Sequence, residues 1–209
     1  MYKGKFITIE GSEGAGKSTN IEYIQNYLQQ QGIDYIATRE PGGTPVAEKI
    51  RDLLLDKSNT SLCDDAELLL MFAARAQHLN ELIIPALEAG KWVLSDRFTD
   101  ASYAYQGGGR GLSWKRIEQL EHWVQGSLRP DATILLDIPV EQGMERVRKR
   151  GETDRFEEEQ MSFFNRIREA YLKLAEENPQ RFYIIDTQPA LEDVYQQLDQ
   201  VLSKLVANV

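Results

Sequence analysis

The residues Gly11-Ser12-Glu13-Gly14-Ala15-Gly16-Lys17-Ser18-Thr19 match the pattern G-x-x-x-x-G-K-[ST]. Glycines at these spacings allow a backbone whose successive N–H groups point inward at an anion. A helix starting just after them adds the positive end of its dipole. Lys17 can then reach the outer phosphates of a nucleoside triphosphate, and the Ser18 hydroxyl can bind Mg²⁺. The whole segment from Gly11 to Thr19 is therefore a candidate ATP-binding loop. The pattern is shared by GTPases, transport ATPases, motors, sulfotransferases and small-molecule kinases. No N-K-x-D guanine-reading motif is present, and 209 residues leave little room for a motor or transporter apparatus.

Four further groupings could serve the same chemistry. Thr38-Arg39-Glu40-Pro41-Gly42-Gly43 offers an arginine and a carboxylate before a turn, either a clamp for a second phosphorylated ligand or a surface ion pair. Asp96-Arg97 offers a carboxylate for the water shell of a metal ion and a guanidinium for a phosphate. Asp137 competes for the metal role but is not followed by an arginine. Phe72 and Arg75 are three apart and share a helix face, so an aromatic plane beside a guanidinium could stack and read a base. Finally, Glu145 to Arg155 holds five cations and three acids in eleven residues. It reads as a solvated helix end, or as a basic flap of the kind that phosphoryl transfer exploits for charge neutralisation. Arg148 and Arg150 diverge on one continuous helix, so both face the phosphates only if the helix breaks near Gly151.

Some features promise less. Gly107-Gly108-Gly109-Arg110-Gly111 suggests a turn, a close ligand approach or a surface loop. His78 and His122 show no neighbouring acid–nucleophile constellation in the sequence, and Cys63 has no visible partner. All three are expected in packing or surface roles.

Five short apolar runs must position these groups: Phe6–Ile9, Tyr35–Thr38, Trp92–Ser95, Thr133–Leu136 and Phe182–Ile185. They are apolar at both alternating positions, which predicts strands covered on both faces. Helical patterns lie between them. Ile21, Ile24 and Leu28 form one stripe ending near Gly32; Leu191, Val194, Leu198, Val201, Leu202 and Leu205 form another. The stretch from Asp64 to about Ala89 reads as helix interrupted at Pro85. Such alternation predicts a parallel, doubly wound α/β sheet in one domain spanning residues 1–209. In such sheets ligands collect beyond the carboxyl ends of the strands, where each polar motif falls.

Composition narrows the classes. Hydrophobic residues at 42% and charged residues at 27% describe a globular chain with a sizeable core. A net charge of −9 argues against a sequence-nonspecific nucleic-acid binder. One cysteine precludes an intramolecular disulfide framework. With no secretory pattern at the N-terminus, the expectation is a cytoplasmic protein without membrane or nucleic-acid partners.

Taken in order, Glu10 to Ser18, Thr38 to Gly43, Phe72-Ala73-Ala74-Arg75, Asp96-Arg97 and Tyr105 to Gly111 resemble the bacterial thymidylate kinases (dTMP kinases) along essentially the whole chain. The resemblance implies a P-loop NTPase fold: five parallel strands flanked by helices, with a small mobile lid at roughly 144–157. It implies transfer of the ATP γ-phosphoryl to dTMP, giving dTDP for dTTP synthesis, with Mg²⁺ held through Ser18 and Asp96, by a homodimer. Carried over, Phe72 stacks the thymine, Arg75 bonds its carbonyl edge, Ser102 bonds the base and Gln106 lies beside it. Tyr105 crowds the ribose 2′ position, Glu13 lies near the 3′-hydroxyl, and Arg39 and Arg97 hold the phosphate. Some members carry a catalytic arginine inside the loop; Gly14 stands there in this chain. The catalytic cations become Lys17, Arg97 and the lid arginines Arg148 and Arg150, with adenine near Gln188 and Ala190. The alternatives are a related P-loop small-molecule kinase and a non-enzymatic ATP-binding switch.

Overall fold

The computed structural model describes residues 2–151, 155–157 and 159–207, with the Arg150 side chain left aside. Its strands are β1 (Phe6–Glu10), β2 (Tyr35–Arg39), β3 (Trp92–Asp96), β4 (Ala132–Asp137) and β5 (Phe182–Asp186). They form one parallel sheet in the order β2-β3-β1-β4-β5. Each of the five apolar runs is a strand. The three central strands are buried on both faces, as their sequences predict. The edge strands β2 and β5 alternate between covered and open positions, because one side of each lacks a neighbour. Ile9 and Arg39 both lie in register with Asp96, so the chemistry-bearing ends of β1, β2 and β3 emerge side by side.

The helices are α1 (Lys17–Gln30), α2 (Pro45–Leu55), α3 (Asp64–His78), α4 (Ile84–Glu88), α5 (Thr99–Ser102), α6 (Trp114–Gln125), α7 (Val140–Arg150), α8 (Met161–Glu177) and α9 (Leu191–Val206). Ile24 and Leu28 of α1 and Val194, Leu198 and Leu202 of α9 pack on Ile7, Ile9, Leu94 and Ile134. Intervening positions point the other way: Leu135 meets Phe163, Ile167 and Tyr171 of α8, while Phe6 and Val93 meet Leu79 and Ile83. Each such large apolar side chain contributes roughly 1.5–3 kcal/mol by leaving water, which is what holds helices to both faces.

Two segments depart from expectation. The α-helix expected to be interrupted at Pro85 is broken just ahead of it. A π-helical turn at Leu79–Ile83 widens the coil ahead of it, and Pro85 sits at the start of α4, where its missing N–H is tolerated. The glycine-rich run is a packed turn rather than a surface loop. Tyr103–Gly109 is a second π-helical turn, and a Cβ on Gly107, Gly108 or Gly109 would come within 2.5–2.7 Å of Trp114, Ala170 or Phe163. The missing side chains let this turn press against α6 and α8.

Candidate active site

The loop after β1 takes the conformation its glycines allow. Gly14 and Gly16 have φ of 74° and 84°, in the left-handed region, and α1 begins at Lys17. The Lys17 ammonium donates to the Gly11 and Ser12 carbonyls at 3.1 and 3.2 Å. Burial lowers its pKa, the Arg97 charge adding to the effect and Glu13 opposing it. A Cβ on Gly14 would lie 2.0 Å from the Gly143 carbonyl oxygen, and one on Gly143 would lie 2.5 Å from that of Glu13. Two glycines thus bring α7 into backbone contact with the loop.

Arg97 is a non-glycine residue at φ 68°, a conformation that costs on the order of 1 kcal/mol. Its surroundings impose it. The Arg97 N–H donates to the Ile9 carbonyl at 2.9 Å, Ser95 Oγ donates to the Arg97 carbonyl at 2.7 Å, and the Phe98 N–H donates to Glu10 Oε1 at 2.7 Å. The guanidinium is thereby aimed at the loop. Its Nη2 donates to Glu13 Oε1 and to the Tyr105 hydroxyl, both at 2.6 Å, and that hydroxyl donates to the same carboxylate oxygen. Burial would raise the Glu13 pKa, but Arg97 and Lys17 pull it down to about 2. Arg97 Nε is buried without a protein partner.

Asp96 carries a buried Oδ1 without a protein partner and lines the same groove as Ser18. Asp137 is committed elsewhere, in a two-pronged ion pair with Arg168 at 2.7 and 2.8 Å. Of the two carboxylates weighed in the sequence, Asp96 keeps an oxygen without a protein partner, whereas both oxygens of Asp137 are held in its ion pair. Among the described residues no cluster of three or more His, Cys, Asp or Glu could enclose a metal ion. One carboxylate and one hydroxyl beside a phosphate loop fit Mg²⁺, which keeps waters and takes substrate phosphates as ligands.

A second cavity adjoins the first. Arg75, Ser102, Tyr105 and Gln106 line it, with Met71 and Phe156 as apolar wall. Glu13, Arg51 and Arg97 line both cavities. Arg75 is fixed by Glu40 Oε2 at 2.7 Å, the Phe98 carbonyl at 3.1 Å and Ser102 Oγ at 3.0 Å, while its Nη1 is buried without a protein partner. Glu40 also meets His78 Nδ1 at 3.0 Å, and His78 Nε2 meets Thr38 Oγ1 at 2.7 Å. The expectation that His78 lacks an acid and a hydroxyl is therefore corrected: the fold brings both to it from β2 and the residue beyond. His78 is packed as expected, and a Cβ on Gly43 would strike it at 2.4 Å.

Not every expected side chain reaches this cavity. Glu40 does line it, but its carboxylate is taken up by Arg75 and His78. Phe72 is 2% exposed and absent from the lining; the Arg75 guanidinium covers its ring at 4.5 Å from the centroid, and neighbouring Met71 faces the cavity instead. Arg39 lies in the adjoining groove with Ser18 and Asp96, its side chain 53% exposed and paired with Glu48 at 2.9 Å. Arg51 supplies a cation that sequence reasoning missed. The signal was there: Ala47, Arg51 and Leu54 share one stripe of α2, an arginine on the face that packs inward.

The arginine-rich segment forms α7 without a break, ending at Gly151 with φ 99°. Arg148 is exposed and outside the loop cavity; the Arg150 side chain lies outside the described residues, as do residues 152–154 of the expected lid. Arg146 lines the loop cavity and donates to the Gly14 and Thr187 carbonyls at 3.4 and 3.0 Å. It joins the loop to the segment after β5, where Gln188 and Ala190 are exposed.

This geometry agrees with kinship. A family model described as thymidylate kinase matches residues 9–198. The chain belongs to the thymidylate kinase family. A thymidylate kinase of Ectopseudomonas mendocina (strain ymp) is 57% identical over 203 residues, 97% of each chain. One from Hahella chejuensis (strain KCTC 2396) is 54% identical over 207 residues, covering 99% of this chain and all of that one. The crystal structure of thymidylate kinase from Ehrlichia chaffeensis superposes with a TM-score of 0.79 at 32% identity, covering 96% and 98% of the two chains. The family is one of kinases, and its α/β sheet with flanking helices is the architecture seen here.

Proposed function

We propose that this chain transfers the γ-phosphoryl group of ATP to dTMP, giving dTDP, as a single domain spanning residues 1–209. The observation that carries this reading is the pair of adjoining cavities that share Glu13, Arg51 and Arg97. One is built on a phosphate loop; the other has a buried guanidinium and amide suited to a base. Two nucleotides seated there would meet phosphate to phosphate among converging cations.

The reaction needs no protein nucleophile. An oxygen of the dTMP phosphate attacks the γ-phosphorus directly, a new P–O bond forming as the bridging bond to ADP breaks. The Gly11–Thr19 N–H groups and Lys17 hold the donor phosphates, while Arg97, with Arg51 beside it, holds the acceptor phosphate. Arg148 and Arg150 are assigned to the transferring group, joined by Arg146, which lines the donor cavity. Mg²⁺ bound through Ser18 and Asp96 supplies charge neutralisation on the donor phosphates. Arg75, Ser102 and Gln106 bind the thymine, with Met71 as its wall on the α3 side and Phe72 behind the Arg75 guanidinium. Tyr105 crowds the sugar, Glu13 lies near the 3′-hydroxyl, and Arg39 supports the phosphate. Adenine lies near Gln188 and Ala190. The working form is a homodimer.

Turnover on dTMP, dUMP, AMP and CMP, each with ATP and Mg²⁺ in a coupled assay for ADP, tests the proposal. dTMP should exceed the ribonucleotides by at least about a hundredfold, a margin that buried hydrogen-bonding groups readily supply. Equal turnover on AMP, or ATP binding without dTMP-stimulated ADP release, overturns it.

A further inference from the structure

Glu67 lies on α3 one turn before Met71 and two before Arg75, and its side chain is only 1% exposed. Two guanidiniums accompany this carboxylate into the interior. Arg110 reaches it through Nη2 at 3.2 Å and Nε at 3.4 Å, and Arg155 through Nη2 at 2.6 Å, with Arg155 Nε tied to the Leu54 carbonyl at 2.8 Å. The third partner is Gln106, whose Nε2 donates to Glu67 Oε1 at 2.9 Å.

The chemistry of that last contact is one-sided. A carboxylate held between two cations offers lone pairs and no proton, so the end of the Gln106 amide facing it must be the NH₂. The other end, Oε1, is then the acceptor that Gln106 presents as it lines the acceptor cavity. The same cavity is lined by Arg75, whose buried Nη1 is a donor without a protein partner. One fixed donor and one fixed acceptor match a ring edge carrying an N–H beside a carbonyl. With Arg75 on the ring carbonyl, as the proposed function has it, the acceptor falls to the adjacent ring N–H, and in that order the pair opposes a ring edge carrying a bare nitrogen beside an amino group.

We propose that Glu67 is a positioning residue that sets base selectivity: it locks the Gln106 amide so that the acceptor pocket takes a 4-oxo pyrimidine and refuses the 4-amino one. The proposal rests on the reading of this cavity as the monophosphate acceptor site. No other described residue fixes that amide.

Glu67→Gln is the direct test, because a neutral amide at 67 can face Gln106 with either end and so releases its orientation. The readout is the ratio of kcat/KM for dTMP to that for dCMP, which should fall about tenfold, the scale set by one buried hydrogen bond made or mismatched. A merely structural role would lower both substrates alike, and an unchanged ratio overturns the proposal. Combining Glu67→Gln with Gln106→Leu should lower the ratio no further than Gln106→Leu alone; a second, additive fall overturns it. Should Glu67→Gln fail to fold, Gln106→Leu carries the test, a tenfold loss of the ratio supporting the proposal and an unchanged ratio overturning it. Wild-type protein without dTMP turnover defeats the functional reading, whereas an active wild type with an indifferent Glu67→Gln variant defeats this inference alone.

Discussion

At the scale of single residues, the left-handed turn at Arg97 depends on a carboxylate that the catalytic description leaves in the background. Glu10 accepts the Phe98 N–H through Oε1 and bonds the Tyr171 hydroxyl at 2.7 Å through Oε2, wholly buried at the end of β1. Burial, with the nearby Asp100 charge, raises its pKa to about 8. The folded chain therefore binds a proton here that the unfolded chain, with a carboxyl near its ordinary value of 4.5, releases. That stability is fully present below the unfolded value and is lost as pH rises through the folded one. Glu10→Gln keeps an acceptor for Phe98 and cannot ionise. Thermal melts from about pH 5 to about pH 9 should show the wild-type Tm falling more steeply than the variant's, with the variant several degrees more stable at the alkaline end. Parallel curves would discount the buried charge. Lys17 and Ser18 were legible in the sequence because their motif is contiguous. Glu10 and Glu67 were not, since a charged residue in a strand or helix gains meaning only from partners the fold brings to it.

At the scale of elements, the contact between the phosphate loop and α7 decides where the basic segment sits. It is made by backbone against backbone at Gly14 and Gly143, so it tolerates no added methyl group. Gly143→Ala should push α7 away and carry Arg146 with it. Overpacking of this kind costs about 1–3 kcal/mol, so ATP affinity measured by calorimetry should weaken roughly tenfold while dTMP affinity holds. Equal loss for both nucleotides would show that the contact serves the fold rather than the donor site. All five strands and the helix stripes could be read ahead of the structure, because burial on two faces and 3.6-residue periodicity leave local marks. The π-helical turns could not. Gly107 to Gly109 carries the composition of a loop, and only the packing of Phe163 and Ala170 against it turns that composition into a close-fitting helix. Phe72 and Arg75 were correctly placed on one helix face. What the sequence could not reveal is that the guanidinium would lie over the ring and leave Met71 facing the cavity.

At the scale of the whole molecule, α3 and α6 present an uncovered apolar surface. Trp123 is 82% exposed and Leu69 56% exposed, and the half-buried Leu120 lines the same groove. In the homodimer proposed above, this is the surface a second copy would be expected to cover. Trp123→Asp should halve the mass seen by light scattering, from a dimer of 23.9 kDa chains to the monomer, with circular dichroism unchanged. A wild-type monomer would remove the dimer from the account. Among the described residues no helix is long and apolar enough to cross a membrane. The order of strands in the sheet also divides labour within the molecule. Two of the three interior strands, β1 and β3, deliver the phosphate loop and Asp96-Arg97, whereas the marginal strands β2 and β5 deliver Glu40, which steadies Arg75, and the turn holding Gln188. Margins of a sheet open before its middle. The carboxylate that steadies Arg75 is therefore lodged where the architecture yields first, and the phosphate loop with Asp96-Arg97 where it yields last.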